Sequence, residues 1–285
     1  MNMQASRTPS TACLHVHVSS RTLHMFSILK DECPIATVAI FLLSGSLSTE
    51  WSSREAGMVQ ASVNKEQLDK LRNTYCDAAQ YLGVPRTSAE RCFTKLAQYY
   101  AEPHRRYHTL AHLHQCMVEF ADVVWHSQDP ALIVMAIFYH DITYDVHRND
   151  NEAKSALYWK FIARHVLEVK NEGFIAEVAR LIELSGEHRT DPVTDPDAAL
   201  FLDVDMSILG ADAPEYDAYA AAVRQEYAHC SDDEWAFGRV AKFLDPTLCE
   251  DRIFLTDIFR QKYEENARAN LMEERCRYQK NLPLA

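Results

Sequence analysis

The chain has 285 residues, enough for one large domain, or a domain with an appendage, whose core needs no disulfide or structural metal. Its 7 Gly and 10 Pro exclude collagenous, low-complexity and turn-rich all-β chains. The formal charge of −12 disfavours nucleic acid or an anionic membrane as partner, because both require a basic footprint.

Residues 1–30 contain no acidic residue, three basic ones (Arg7, Arg21, Lys30) and many Ser and Thr, a composition that fits an organelle transit peptide. The alternative is a disordered extension ahead of a start at Met58. The apolar run IATVAIFLL at 35–43 is too short to span a bilayer, which takes about 20 apolar residues. No membrane segment is expected. A cytoplasmic location is expected, or a mitochondrial one if residues 1–30 act as a transit peptide.

From residue 63 onward the pattern is helical. Leu68, Leu71, Tyr75, Ala78, Ala79 and Leu82 recur at three- and four-residue spacing until Gly83-Val84-Pro85 stops the run. Thr87 or Ser88 is expected to cap the next helix, with Phe93, Leu96, Ala97 and Tyr100 on its apolar face. A polar stretch, 102–108, leads into a helix near 109–126. Asp129-Pro130 is an N-cap and first-turn pair for the apolar ALIVMAIFYHDI. Further helices fit 150–169, 172–185, 197–209, 214–229, 231–244 and 249–278, and Ser231 with Glu234 forms a capping box. No segment alternates with period two. The expectation is an all-α chain: residues 1–60 an N-terminal extension, residues 61–285 one helical domain. The 8 Cys never occur as CxxC and read as reduced core thiols.

Seven of the 13 His fall between residues 104 and 147. His108 and His112, four apart, share one helix face. His140 and Asp141 stand together at the end of an apolar helix, where two ionisable groups are costly unless something binds them. Imidazole nitrogen with carboxylate oxygen suits Zn, Mn, Fe or Co better than Ca. Downstream, the apolar run AALFLDVDMSILG carries Asp203 and Asp205. They are two apart, so at most one can face a shared metal. His112, His140, Asp141 and one of these make four ligands on three helices, with positions left open for water and substrate.

The order H…HD…D on an all-α chain resembles the HD-domain superfamily of metal-dependent phosphohydrolases. RRYHTLAHL, FYHDITYD, NDNEAKSA and FLDVDMSILG are similar to segments of a group of predicted HD phosphohydrolases, over most of residues 65–275. The resemblance implies a divalent metal (Mn, Co, Zn, Fe or Mg). It also implies a phosphorylated small-molecule substrate, a nucleotide mono-, di- or pyrophosphate ester, cleaved by metal-activated water.

The segment YHTLAH at 107–112 is similar to the Y-H-N-x-x-H segment of cyclic-nucleotide phosphodiesterases, with Thr109 where those have Asn. That likeness implies His108 as general acid and His112 as ligand. VDMS at 204–207 resembles their A-D-L-S segment and favours Asp205 as the last ligand. Glu152, in NDNEAKSA, is implied to lie just behind the ligands. Where related nucleotidases have Glu three positions after HD, this chain has Tyr144 followed by Asp145, which either orients the attacking water or ends the helix. Arg105 and Arg106 either clamp phosphate or lie on the surface. Tyr107, Tyr139, Tyr144 and Tyr158 either stack on a base or pack in the core.

Two-metal members supply extra His ligands, for which His188 is placed and His165 is the weaker choice. If both bind, a di-iron oxygenase becomes the alternative; a catalytically silent nucleotide-binding module is another. A monomer or homodimer is expected, with Phe254, Ile258, Phe259 and Tyr263 of the C-terminal helix packed intramolecularly.

Overall fold

The computed structural model describes residues 63–281. The expected extension at 1–60, with its transit-peptide and apolar segments, lies outside the described residues, as do Cys13 and Cys33.

Every regular element among the described residues is helical. Helix α1 (Lys65–Tyr81) starts at a capping box: the Asn64 side chain accepts the Gln67 N–H, and the Gln67 side chain accepts the Asn64 N–H, each at 2.9 Å. Gly83, at φ +81°, turns the chain into α2 (Arg86–Tyr99). That helix begins just before the expected caps Thr87 and Ser88. Pro85 fixes the entry and no side chain caps it.

Helix α3 (Leu110–Val123) is capped by Thr109 and ends in a 3-10 turn, Val124–His126. Asp129 caps α4 (Pro130–Tyr139), accepting the Ala131 and Leu132 N–H groups, with Pro130 at the first position. Nine of the ten residues of α4 are buried. A helix apolar on every side can only lie at the centre, and α4 packs against α1, α3, α5 (Asn151–His165), α6 (Glu172–Leu184) and α7 (Pro196–Met206). Helices α5 and α6 pair along their length, and α3 also packs on α7.

After α7 and a 3-10 turn, Ser207–Gly210, come α8 (Ala213–Glu226), α9 (Asp232–Arg239), a π turn (Val240–Leu244), α10 (Asp245–Cys249) and α11 (Asp257–Asn281). The Ser231 capping box forms, with the Glu234 N–H donating to Ser231 Oγ at 3.2 Å. The expected 231–244 helix runs on to Cys249. Its π turn stands where Pro246 cannot donate to the Lys242 carbonyl one turn back.

The expected helix at 249–278 is interrupted at 250–256. Side chains from elsewhere take up that segment's backbone donors. Asp203 accepts the Leu255 and Thr256 N–H groups at 2.7 and 2.8 Å and the Thr256 hydroxyl at 2.6 Å. Glu264 accepts the Ile253 and Phe254 N–H groups. Phe254, Phe259 and Leu271 then join the core.

The cysteines need a correction. Cys76, Cys92 and Cys116 are buried, but Cys249 and Cys276 are exposed, so the core-thiol reading holds for only part of the set; all six described are free. Among the described residues no helix is long and apolar enough to cross a membrane.

Candidate metal centre

The site lies where the ends of α4 and α7 meet the first turn of α3. His140 is the C-cap of α4 and is 2% exposed. Its Nδ1 lies 2.9 Å from the Ile137 carbonyl, which can only accept, so Nδ1 carries a proton and Nε2 faces inward. Around that Nε2 stand Asp141 Oδ2 at 3.0 Å, His112 Nε2 at 3.2 Å and Asp205 Oδ1 at 3.3 Å. His112 Nε2 is 3.2 Å from Asp205 Oδ1 and 3.8 Å from Asp141 Oδ2.

A second imidazole and two carboxylates thus gather around His140 Nε2. A cation about 2.1 Å from each donor would set them about 3.0 Å apart in octahedral and about 3.4 Å apart in tetrahedral geometry. Four of the five separations, 3.0–3.3 Å, fall in that range, whereas His112 Nε2–Asp141 Oδ2, at 3.8 Å, lies outside it. In the cluster itself burial works against the charged forms, but the carboxylates hold the His140 imidazolium well above the usual histidine range, and the histidines hold Asp141 and Asp205 well below the usual carboxylate range.

Asp203 and Asp205 point different ways, as their spacing requires. Asp205 joins the cluster, whereas Asp203 holds the 250–256 segment. Burial pushes the Asp203 carboxyl up to about 6, against the pull of its bonds to Thr256 and Leu255. His188 takes a left-handed φ of +50° at the end of α6, where its N–H donates to the Leu184 carbonyl at 2.9 Å. Its Nε2 lies 3.4 Å from Asp205 Oδ2, the oxygen other than the one that faces His112 and His140.

His108 borders the cluster, its ring 5.9 Å from that of His112 and stacked on Tyr144 at 4.2 Å. Its Nδ1 lies 2.8 Å from Glu226 Oε2, a residue the sequence did not single out. Glu226 also accepts the N–H groups of Arg106, Tyr107 and His108 on Oε1 at 2.7–3.1 Å, and the Tyr144 hydroxyl on Oε2 at 2.8 Å. Burial disfavours its charge, but the His108 cation and these donors hold the carboxyl down at about 2. Burial likewise opposes the His108 cation, yet Glu226 and then Asp141 raise its pKa.

Arg105 does not lie open to clamp phosphate. It is 3% exposed, and its guanidinium donates to the carbonyls of His108, Asp141 and Ile142 at 3.2, 2.8 and 3.1 Å and to Glu102 Oε2 at 3.1 Å. It ties the His108 segment to the Asp141 segment, a positioning role. The Arg106 guanidinium donates to the Pro103 and Arg105 carbonyls. Asp145 serves its own turn: Oδ1 accepts the His147 N–H at 3.0 Å, while its backbone is held by Asn151. Helix α4 already stops at Tyr139, so Asp145 does not end it but lies in the loop between α4 and α5.

Glu152 abuts Gly186, where an added Cβ would come within 3.2 Å of Glu152 Cγ, so it packs under the turn that carries His188. His165 is exposed at the end of α5 with its ring on Phe161, away from the four donors, which removes one of the two histidines the di-iron alternative requires. Tyr107 packs on His112 and Tyr219. Tyr139 and Tyr158 lie elsewhere, Tyr139 bonded to the Tyr75 hydroxyl at 2.7 Å and Tyr158 against Tyr99.

Cys116, one turn along α3 from His112, was also missed. Its Sγ lies 3.7 Å from both ring nitrogens of His112. Among the described residues two overlapping groups, His112–His140–Asp141 and His112–Cys116–Asp205, bring their donor atoms within 4.8 Å of one another, close enough to hold a metal ion. Comparison of the chain with protein-family models, curated proteins and solved structures gives no match.

Proposed function

We propose that this protein is a metal-dependent phosphohydrolase of the HD type, acting on a phosphate ester of a small molecule, in first place a nucleotide. One observation carries the reading: a cluster of His112, His140, Asp141 and Asp205 lies beside a part-buried histidine–carboxylate pair, His108 and Glu226. His112, His140, Asp141 and Asp205 would hold a divalent ion, which when bound would supply Lewis acidity and lower the pKa of water. The donor set suits Mn, Fe, Co or Zn.

The chain's own residues do the rest. Glu226 accepts from His108 Nδ1, so a charged His108 keeps its second proton on Nε2, the end turned away from Glu226. From there it is delivered to the departing alkoxide oxygen, a contribution of about 10²–10⁴ in rate. Glu226 retains its bond to Nδ1 before and after that transfer. Arg105 fixes the carbonyls of His108 and Asp141 and so sets the spacing between proton donor and cluster.

The test is elemental analysis of protein purified without added metal or chelator, followed by assay against mono-, di- and pyrophosphate esters. We expect about one equivalent of Mn, Fe, Co or Zn, lost in His140→Ala. His108→Ala is expected to keep the metal and lose about 10²-fold or more in kcat. Wild-type protein that neither contains nor takes up metal would overturn the reading.

A further inference from the structure

A cleft of about 460 Å³ opens between α2 and α5, within the range of about 300–1,000 Å³ that holds small ligands. Its floor is the buried Leu96 and Tyr139, and the ring of Tyr139 is fixed by its hydroxyl bond to Tyr75. One wall is apolar and faces water: Phe161 is 57% and Val166 45% exposed. Large side chains left that open in a contiguous wall mark a surface that takes a partner.

The opposite rim carries two cations, Arg91 and Lys95, one helical turn apart on α2. In this acidic chain most arginines and lysines meet a carboxylate. These two do not: among the described residues Arg91 donates to the Ser88 hydroxyl at 3.3 Å, and Lys95 lies over the Tyr99 ring and donates to Gln98. An apolar trough with uncompensated positive charge on one edge is complementary to a body that is apolar along its length and negative at one end.

We propose that this cleft is a second binding site, for a small amphipathic anion: an aliphatic or aromatic body carrying one carboxylate, sulfonate or phosphate. The apolar body lies on Leu96, Tyr139 and Phe161, and the anionic head meets Arg91 and Lys95. The site uses none of the residues of the metal cluster, so it stands or falls independently of the hydrolase reading.

The experiment is calorimetric titration of the full chain with decanoate below its micelle concentration, with decylamine and decanol as cationic and neutral comparators. Decanoate is expected to bind with one-to-one stoichiometry and decylamine not at all. Decanol should bind more weakly than decanoate. Arg91→Ala/Lys95→Ala should weaken decanoate by about five- to tenfold, the loss of two partly exposed ion pairs, and leave decanol unchanged. Phe161→Asp places a negative charge on the apolar wall at an exposed position and should abolish decanoate binding without changing Tm. Binding of decylamine as tight as decanoate, an unaltered decanoate affinity in the double variant, or no saturable decanoate binding would each overturn the proposal.

Discussion

Glu226 and His108 are joined at 2.8 Å across 118 positions of sequence, and the same carboxylate gathers three successive backbone N–H groups of the His108 segment. One buried acid therefore sets both the charge and the placement of that histidine. The two shifts have opposite signs. The Glu226 carboxyl is depressed from 4.5 to about 2, so its stabilisation is present above pH 4.5 and is lost as pH falls towards 2. The His108 imidazolium is raised, so its share is present below 6.5 and is lost as pH climbs through the raised value. Metal-free protein should show a pair-dependent stability plateau between these limits. The acid arm is worth up to about 3 kcal/mol. Urea unfolding as a function of pH should lose that arm in Glu226→Gln; an identical profile in the variant would refute the coupling.

Metal binding should appear as stability before it appears as turnover. Four donors from three helices exist as a set only in the folded chain, so an ion that binds them stabilises the fold by about 4 kcal/mol at a thousandfold excess over Kd. Chelation should lower the Tm of wild-type protein and leave the Tm of His140→Ala and Asp141→Ala unmoved. Equal sensitivity of all three to chelator would place the ion elsewhere.

Asp203 and Asp205 should separate cleanly by assay. Asp203→Ala leaves the Leu255 and Thr256 donors without their acceptor, which should cost about 2–3 kcal/mol while metal content stays. Asp205→Ala should lose the metal, because it removes a donor that faces both His112 and His140. Parallel denaturation and metal analysis decide this; metal loss in Asp203→Ala with metal retained in Asp205→Ala would invert the assignment.

Arg105→Lys tests positioning. Lysine keeps the charge but cannot span the carbonyls of His108, Asp141 and Ile142 from one planar group. The expected result is about 2–3 kcal/mol of destabilisation together with weaker metal binding. A variant with wild-type stability and metal affinity but raised KM would restore the phosphate-clamp reading.

Much of the helical layout was legible because its signals are local: the Gly83-Val84-Pro85 stop, the Ser231 box, the Asp129-Pro130 start, the unbroken apolar run before His140. The gathering of His and Asp side chains was legible for a related reason, since ionisable residues ending apolar helices announce a cost that something must offset. What escaped notice depends on distant partners. Glu226 reads locally as an ordinary helix-terminal acid. Arg105 reads as a phosphate clamp or a surface cation because two of its acceptors are backbone carbonyls 36 and 37 residues further on. The break at 250–256 is imposed by Asp203 and Glu264, and nothing within the segment's own residues foretells it.

Helix α4 has no side suited to water, and the helices that cover it do not all precede it in the chain. α1 and α3 are made before it, but α5, α6 and α7 emerge only afterwards. During synthesis the strip from Ala131 to Tyr139 therefore spends an interval with half its cover missing, sticky to any neighbouring nascent chain. The same strip delivers His140. Slowed translation just beyond α4, or a holdase that shields it, should raise the yield of native protein more than any change to the exposed surface.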